Sequence, residues 1–177
     1  MARFVDANHI SVTDPTGEEH RFGFEFAVIA VGTAPYRPAN IPFNDHSVVD
    51  SDSLVAEPRV PRSLTVVGAG VIGIEYATIF SALDVPVTII EPRDSILDFI
   101  DREIIEEFTH DLRKRGMTIR FGAKVEKVEL DGQGWPVATL ADGRTIRSDM
   151  LLYAAGRSGA TADLGLENCG ITPAERG

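Results

Sequence analysis

Residues 64–73 read LTVVGAGVIG, an apolar run that leads directly into a glycine turn of the pattern G-x-G-x-x-G. A helical pattern follows at 71–83, and a second apolar run at 85–90 ends at an acid, Glu91. Strand, glycine turn, helix, strand and acid in this order are typical of the βαβ unit that binds a dinucleotide. The stretch therefore predicts both an α/β fold and the class of ligand.

Each glycine of the turn has its own physical role. At Gly68 the chain must leave the strand sharply, with backbone angles that a side chain opposes. At Gly70 the missing Cβ lets a pyrophosphate approach the backbone, and at Gly73 it lets the helix pack closely against the strand. The phosphates would lie at the helix N-terminus, where unpaired N–H groups and the helix dipole favour an anion. The predicted phosphate-binding residues are Gly68, Ala69, Gly70, Val71, Ile72 and Gly73.

The acid that ends the second run, Glu91, predicts how the ribose is held. It follows the turn by about 20 residues, where an acid accepts hydrogen bonds from the adenosine ribose. The alternative is a structural turn in another parallel α/β sheet, with Glu91 a solvated residue at the strand end. A 2′-phosphate near this acid would be repelled by on the order of 4 kcal/mol for unit charges about 4 Å apart.

Arg93 would offset that repulsion by pairing with the phosphate of NADP. Its alternative is a surface arginine bound to Asp94 or to water. We therefore expect NAD(H) to bind better than NADP(H), with Arg93 setting the NADP(H) affinity that remains.

Composition narrows the classes of protein and of binding partner that fit the sequence. The 177 residues are 44% hydrophobic, enough for one packed domain and part of another. A net charge of −10 argues against nucleic acid and anionic membranes as partners. No apolar run approaches the roughly 18 residues of a membrane span, and the N-terminus does not have the pattern of a signal peptide.

Metal and redox chemistry find little support in the sequence. The single cysteine, Cys169, permits no internal disulfide and no CxxC metal site, so we expect a reduced thiol in a cytoplasmic protein. The histidines lack a ligand partner at metal spacing and are interpreted as surface or packing residues: His9, His20, His46 and His110. We predict no metal site and no catalytic residue within the chain.

Hydrophobic periodicity predicts an α/β sheet with an antiparallel insertion. Before residue 63 we expect one edge strand at 3–13, a turn at 14–17, a buried strand at 27–31, a short helical turn at 51–55, and a linker marked by Pro58 and Pro61. After it we expect parallel strands at 64–67, 85–90, 117–121 and 150–154, helices at 71–83 and 101–115, antiparallel strands at 124–130, 137–140 and 145–147, and a loop at 157–177.

Three stretches and the antiparallel insertion resemble a known family. VIAVGTAP at 28–35, GAGVIGIEYATIF at 68–80 and LLYAAGR at 151–157 are similar to segments of the flavoprotein disulfide reductases. Among these the sequence is most similar to the FAD-containing pyridine nucleotide transhydrogenases. The resemblance extends over essentially the whole chain.

This resemblance implies a domain organisation. It implies a partial FAD-binding segment and linker at 1–55, an NAD(P)(H)-binding Rossmann domain at 56–157, and a loop at 158–177 that returns to the FAD domain. It also implies that the chain is an internal part of a longer, homo-oligomeric protein, with an FAD domain and a dimerisation domain elsewhere and Met1 a cloning start or internal methionine.

The resemblance also implies further contacts with the cofactors. Glu75 would lie near the nicotinamide and the flavin, or be a solvated helix residue. Val125 would contact the adenine side through its backbone, or only pack in the core. Gly156 would line the nucleotide site at a strand end, whereas Gly32 and Thr33 match backbone contacts to FAD.

Two activities are consistent with the resemblance. The first is a transhydrogenase that moves hydride between NADPH and NAD through the flavin. The alternative is a dihydrolipoamide dehydrogenase-like or metal-ion reductase-like enzyme, which needs a redox-active cysteine pair upstream. In either case we expect the chain alone to bind nucleotide without turnover.

Overall fold

The structure is a computed structural model that describes residues 1–57 and 59–177. Pro58, predicted as part of a linker, lies outside the described residues. The chain divides into two compact units, one formed by Met1–Ala34 with Arg157–Gly177 and the other by Pro35–Gly156. The elements in chain order are β1 (Ala2–Asp6), β2 (His9–Thr13), β3 (Glu19–Gly23), β4 (Thr33–Pro35), β5 (Val48–Val49), α1 (Ser51–Ala56), β6 (Leu64–Val67), α2 (Val71–Ala82), β7 (Val87–Ile90), α3 (Arg102–Lys114), β8 (Thr118–Arg120), β9 (Val125–Leu130), β10 (Pro136–Leu140), β11 (Thr145–Arg147), β12 (Met150–Tyr153), β13 (Arg157–Gly159) and a 3₁₀ helix (Leu166–Cys169).

A five-stranded parallel sheet organises the unit Pro35–Gly156. Its strand order is β5-β12-β6-β7-β8, so β6 lies between β12 and β7. The central strands are almost continuously apolar because both faces of a parallel sheet are covered. Val66 of β6, for example, is fully buried and pairs with Leu152 and Ile89. The predicted parallel α/β sheet is confirmed.

Helices α2 and α3 cover this sheet. Ile74, Ala77 and Phe80 of α2 belong to the main apolar cluster together with residues of the central strands. Helix α3 begins after Asp101, whose carboxylate accepts a hydrogen bond from the Glu103 N–H at 2.9 Å. Both helices lie where the sequence predicts them, to within one or two residues at each end.

The predicted antiparallel insertion is present between β8 and β12. Strands β9, β10 and β11 form a meander, with Val128 paired to Ala138 and Ala138 to Ile146. Its inner face contributes Val128 and Ala138 to a second apolar cluster, which includes Val67 and Ile90 from the parallel sheet. The insertion therefore packs against one face of the parallel sheet.

The unit formed by Met1–Ala34 and Arg157–Gly177 differs from the sequence prediction in three places. The single edge strand expected at 3–13 is wrong, because the chain turns after Asp6 and forms the hairpin β1–β2. The Asp6 carboxylate stabilises this turn by accepting a hydrogen bond from the Asn8 N–H at 2.9 Å. The loop expected at 157–177 contains β13 and the 3₁₀ helix, to which β1 is bound through the Phe4 carbonyl and Asn168 Nδ2 at 2.8 Å.

The buried strand expected at 27–31 is also wrong. These five residues are exposed and have no regular secondary structure. Val28 is 92% exposed, and the neighbouring Phe26 is 91% exposed. An apolar run becomes a strand only where its N–H and C=O groups find partners, and none of the described strands pairs with this segment.

Among the described residues, no helix combines the length and the apolar character that a membrane span requires. The turn at 14–17 and the short helix at 51–55 are confirmed as predicted. The domain boundaries after residues 55 and 157 remain predictions, because a division into compact units does not test which cofactor each part binds.

Candidate dinucleotide site

Two glycines of the turn between β6 and α2 leave no room for a side chain. Gly68 has a φ of +102°, and a Cβ there would lie 2.6 Å from the Ala154 carbonyl oxygen. A Cβ at Gly73 would lie 2.1 Å from the Gly68 carbonyl oxygen and 3.3 Å from Val66. The first glycine makes the sharp turn and the second lets α2 pack on β6, which are the roles that the sequence predicts for them.

Gly70 differs from both, because it faces open space. A Cβ at this position would meet no atom within 4 Å, and its φ of −74° is ordinary for any residue. Gly70 is also the N-cap of α2, whose first turn has no acidic residue. The first N–H groups of a helix have no partner within the helix and favour an anion. The space in front of Gly70 is therefore suited to a phosphate group.

A cleft of about 470 Å³ opens in front of this turn. It lies at the carboxyl ends of the parallel strands, where open α/β sheets bind their ligands. The predicted site residues that line it are Gly68, Gly70, Val71, Ile72, Glu91, Arg93 and Gly156. Ala69 is fully buried and Gly73 is packed against β6, so these two shape the turn from behind.

Sequence reasoning missed several other residues that line the cleft. Ser51 reaches it from the start of α1, which Asp50 caps with its carboxylate. Tyr153, Ala154 and Ala155 reach it from the end of β12. Their position in the sequence was the available signal, because residues 153–156 follow the last parallel strand, β12, and lie at the same edge of the sheet.

Glu91 is a buried acceptor in this cleft. Its side chain is 3% exposed, and the carboxylate accepts the Ala69 N–H at 2.7 Å and the Arg93 N–H at 3.1 Å. Burial by itself raises the pKa of the Glu91 carboxyl, but hydrogen bonds from Arg93 and Ala69 outweigh burial and the pKa lies below its ordinary value. Glu91 is therefore ionised at neutral pH and is not the solvated strand-end residue of the alternative reading.

Arg93 forms ion pairs with two acids. Its Nε and Nη2 donate to the two oxygens of Glu91 at 2.8 and 3.1 Å, and its Nη1 lies 2.8 Å from Asp98 Oδ2. Hydrogen bonds to these acids, Glu91 first, raise the pKa of Arg93 above its ordinary value. The sequence alternative paired Arg93 with Asp94, and the structure corrects the surface partner to Asp98.

Two predicted contacts do not line the cleft. Glu75 is exposed on α2, one turn beyond Val71. Val125 begins β9, pairs with Leu140 and packs against the second apolar cluster. Their roles toward nicotinamide and adenine stay predictions.

The two predicted flavin contacts lie in the unit Met1–Ala34 with Arg157–Gly177. Arg157 donates to the Thr33 hydroxyl at 2.7 Å and to its carbonyl at 2.8 Å. The Gly32 carbonyl accepts the Ala160 N–H at 3.0 Å. Arg157 therefore anchors this segment, and the flavin contacts of Gly32 and Thr33 stay predictions.

Two other features of the described residues, a second cleft and a group of polar side chains, do not form a comparable site. A cleft of about 640 Å³ between α3 and the segment before it is larger than the first and includes Arg102 at the start of α3, but no glycine lines it. The β2–β3 hairpin brings together Asp14, Glu18 and His20, each with one ligand atom within 4.8 Å of the others. Sequence spacing alone did not predict this group. Glu18 and His20 are exposed, and we assign no metal to the group.

Comparison with known proteins agrees with this geometry. The sequence matches the pyridine nucleotide-disulphide oxidoreductase family over residues 2–177. The chain belongs to this family. It is 42% identical over 176 residues to the soluble pyridine nucleotide transhydrogenase of Mycobacterium tuberculosis (strain ATCC 25177 / H37Ra), covering 99% of this chain and 37% of the relative. It is 43% identical to the enzyme of the same name from Pseudomonas aeruginosa (strain LESB58), covering 99% of this chain and 38% of the relative.

Solved structures of similar fold are longer than this chain. The Cu(II) complex of the HOCl-induced flavoprotein disulfide reductase RclA from Escherichia coli aligns with a TM-score of 0.86 at 30% identity, over 100% of this chain and 40% of RclA. LpdA from Mycobacterium tuberculosis aligns with a TM-score of 0.88 at 24% identity, over 99% of this chain and 39% of LpdA, which shows the fold alone. The chain thus spans about two fifths of these relatives.

Proposed function

We propose that the chain binds NAD(H) and NADP(H) in the cleft before the glycine turn, as the nucleotide-binding part of an FAD-dependent pyridine nucleotide transhydrogenase. The observation that carries the proposal is the open space in front of Gly70, between two glycines that tolerate no side chain. A structural turn in an unrelated α/β sheet has no need of an open N-cap glycine facing a cleft.

The residues present fit the pyrophosphate of a dinucleotide. Gly70, Val71 and Ile72 at the start of α2 line the cleft, where the first N–H groups of a helix and its dipole favour an anion. The ribose would lie toward Glu91, at the end of the neighbouring strand β7. The opposite half of the nucleotide would extend along the residues before Gly156, toward Glu75.

Bound flavin would supply the hydride chemistry between the two nicotinamide nucleotides. This chain's residues hold and orient the nucleotide. The transhydrogenase activity is inferred from the relatives at 42–43% identity. We place the protein in the cytoplasm, and we propose the FAD-binding and dimerisation regions of the same protein as its partners.

Nucleotide titration of two glycine variants tests the proposal. In Gly70→Ala the added methyl group occupies the space reserved for the phosphate, so we expect the Kd for NADH to rise at least about tenfold. Gly132→Ala is the matched control, because Gly132 also faces open space but lies in the meander turn. Equal Kd values for the two variants, or no binding of either nucleotide by the unaltered protein, would contradict the proposal.

The similarity to RclA supports a second candidate, a flavoprotein reductase of disulfides or metal ions. Its identity of 30% is lower than that of the transhydrogenases. The two candidates differ in their second substrate. Hydride transfer from NADPH to an NAD analogue by the flavin-loaded protein favours the transhydrogenase, whereas reduction of a disulfide or of Cu(II) with a cysteine pair upstream favours the reductase.

A further inference from the structure

The carboxylate of Glu91 has no acceptor position left for a ribose hydroxyl. Its Oε1 accepts from the Arg93 backbone N–H and from Nε, and its Oε2 accepts from the Ala69 N–H and from Arg93 Nη2. A carboxylate offers about four acceptor sites, so all of them are used. A nucleotide that hydrogen-bonds Glu91 must therefore displace a donor.

The side chain of Arg93 is the donor that can leave. The Ala69 N–H belongs to the glycine turn, and the Arg93 backbone is fixed because its carbonyl accepts the Gly122 N–H at 3.0 Å. The Arg93 side chain is 43% exposed, whereas the Glu91 side chain is 3% exposed. Only the guanidinium can move away without opening the backbone of the site.

Asp98 offers the guanidinium a second anchor. It already holds Arg93 Nη1 at 2.8 Å while remaining 57% exposed. The residues before it fix its position, because Ile96 is fully buried and the Leu97 N–H donates to the Ala69 carbonyl at 3.4 Å. Asp98 is thus tied to the glycine turn and does not have to follow Arg93 when Arg93 moves.

We propose that Arg93 is displaced from Glu91 by the bound nucleotide and that Asp98, by retaining it, sets the preference between NAD(H) and NADP(H). This inference rests on the proposed function. With NAD(H), the ribose hydroxyls replace Arg93 Nε and Nη2 on Glu91, and Asp98 keeps the arginine paired. With NADP(H), the 2′-phosphate needs the arginine for itself, and Asp98 competes for it and adds a second negative charge.

The variant Asp98→Asn tests this role with opposite signs for the two nucleotides. Without the anchor, Arg93 stays on Glu91 when NADH arrives and is available to a 2′-phosphate when NADPH arrives. We expect the ratio of the Kd for NADPH to the Kd for NADH to fall about tenfold, measured by nucleotide fluorescence at fixed ionic strength. Asp94→Asn is the matched control, since it removes the same charge from the same segment and leaves the ratio unchanged.

The variant Arg93→Ala supplies the second arm. The substitution removes the guanidinium and so frees two acceptor sites on Glu91. We therefore expect NADH to bind at least as tightly as before, while NADPH binds more weakly. The inference is overturned if Asp98→Asn and Asp94→Asn shift the ratio equally, or if Arg93→Ala weakens both nucleotides to the same extent. Failure of the unaltered protein to bind either nucleotide would instead overturn the proposed function.

Discussion

The strand Leu64–Val67 and the segment 27–31 are both short apolar runs, but they lie in opposite environments. The strand has parallel neighbours on both sides, and Val66 is fully buried. The segment pairs with none of the described strands, and Val28 is 92% exposed. Composition is nearly the same in the two runs, so hydrogen-bonding partners and covering helices determine which one becomes a core strand.

The largest contrast is expected from placing the same charge in each run. Val66→Asp puts a carboxylate between Leu152 and Ile89 with no partner, and we expect it to lower the free energy of unfolding by more than about 4 kcal/mol. Val28→Asp puts the carboxylate in water, and we expect a change below about 0.5 kcal/mol. Urea denaturation followed by circular dichroism measures both. Similar losses in the two variants would break the contrast.

The sequence predicted the first of these regions well because its signals are local. The glycine turn, the helix at 71–83 and the strands on either side follow from periodicity and from the conformational needs of glycine. The contacts of Gly68 and Gly73 confirm the reasons given for each.

The sequence predicted the segment before β4 poorly, because local pattern says nothing about pairing partners. It also missed the hairpin at 2–13, whose turn after Asp6 has no glycine or proline. Asp98 was missed as the partner of Arg93 for a similar reason. The segment that carries it lacks periodicity and passes through a positive φ of 45° at Leu97.

A smaller effect on the free energy of unfolding is expected from the negative charge of Glu91, which stabilises the glycine turn that follows Leu64–Val67. Because the pKa of Glu91 is lowered in the folded state, its contribution is present above its ordinary value of 4.5 and is lost as the pH falls through the folded value. We expect Glu91→Gln to cost about 1–3 kcal/mol at pH 7. The difference from the unaltered protein shrinks as the pH falls below about 4.

Urea denaturation at several pH values measures this dependence, with Glu75→Gln as the control because Glu75 is exposed. A gap between Glu91→Gln and the unaltered protein that stayed constant down to pH 3 would show that the charge of Glu91 does not stabilise the turn. The segment 27–31 has no ionisable residue, so it can contribute no matching term.

The smallest effect on stability is expected from removing the exposed apolar surface of the segment 27–31 and the neighbouring Phe26. This change also tests most directly whether that surface promotes association. Phe26 and Val28 are each more than nine-tenths exposed, and contiguous apolar surface of this kind promotes association. The double variant Phe26→Ser, Val28→Ser should change the free energy of unfolding by less than about 0.5 kcal/mol. It should also lower the apparent mass in sedimentation at high concentration and reduce binding of an apolar dye. Unchanged sedimentation and dye binding, or a large loss of stability, would show that the segment is packed after all and that its likeness to Leu64–Val67 extends beyond composition.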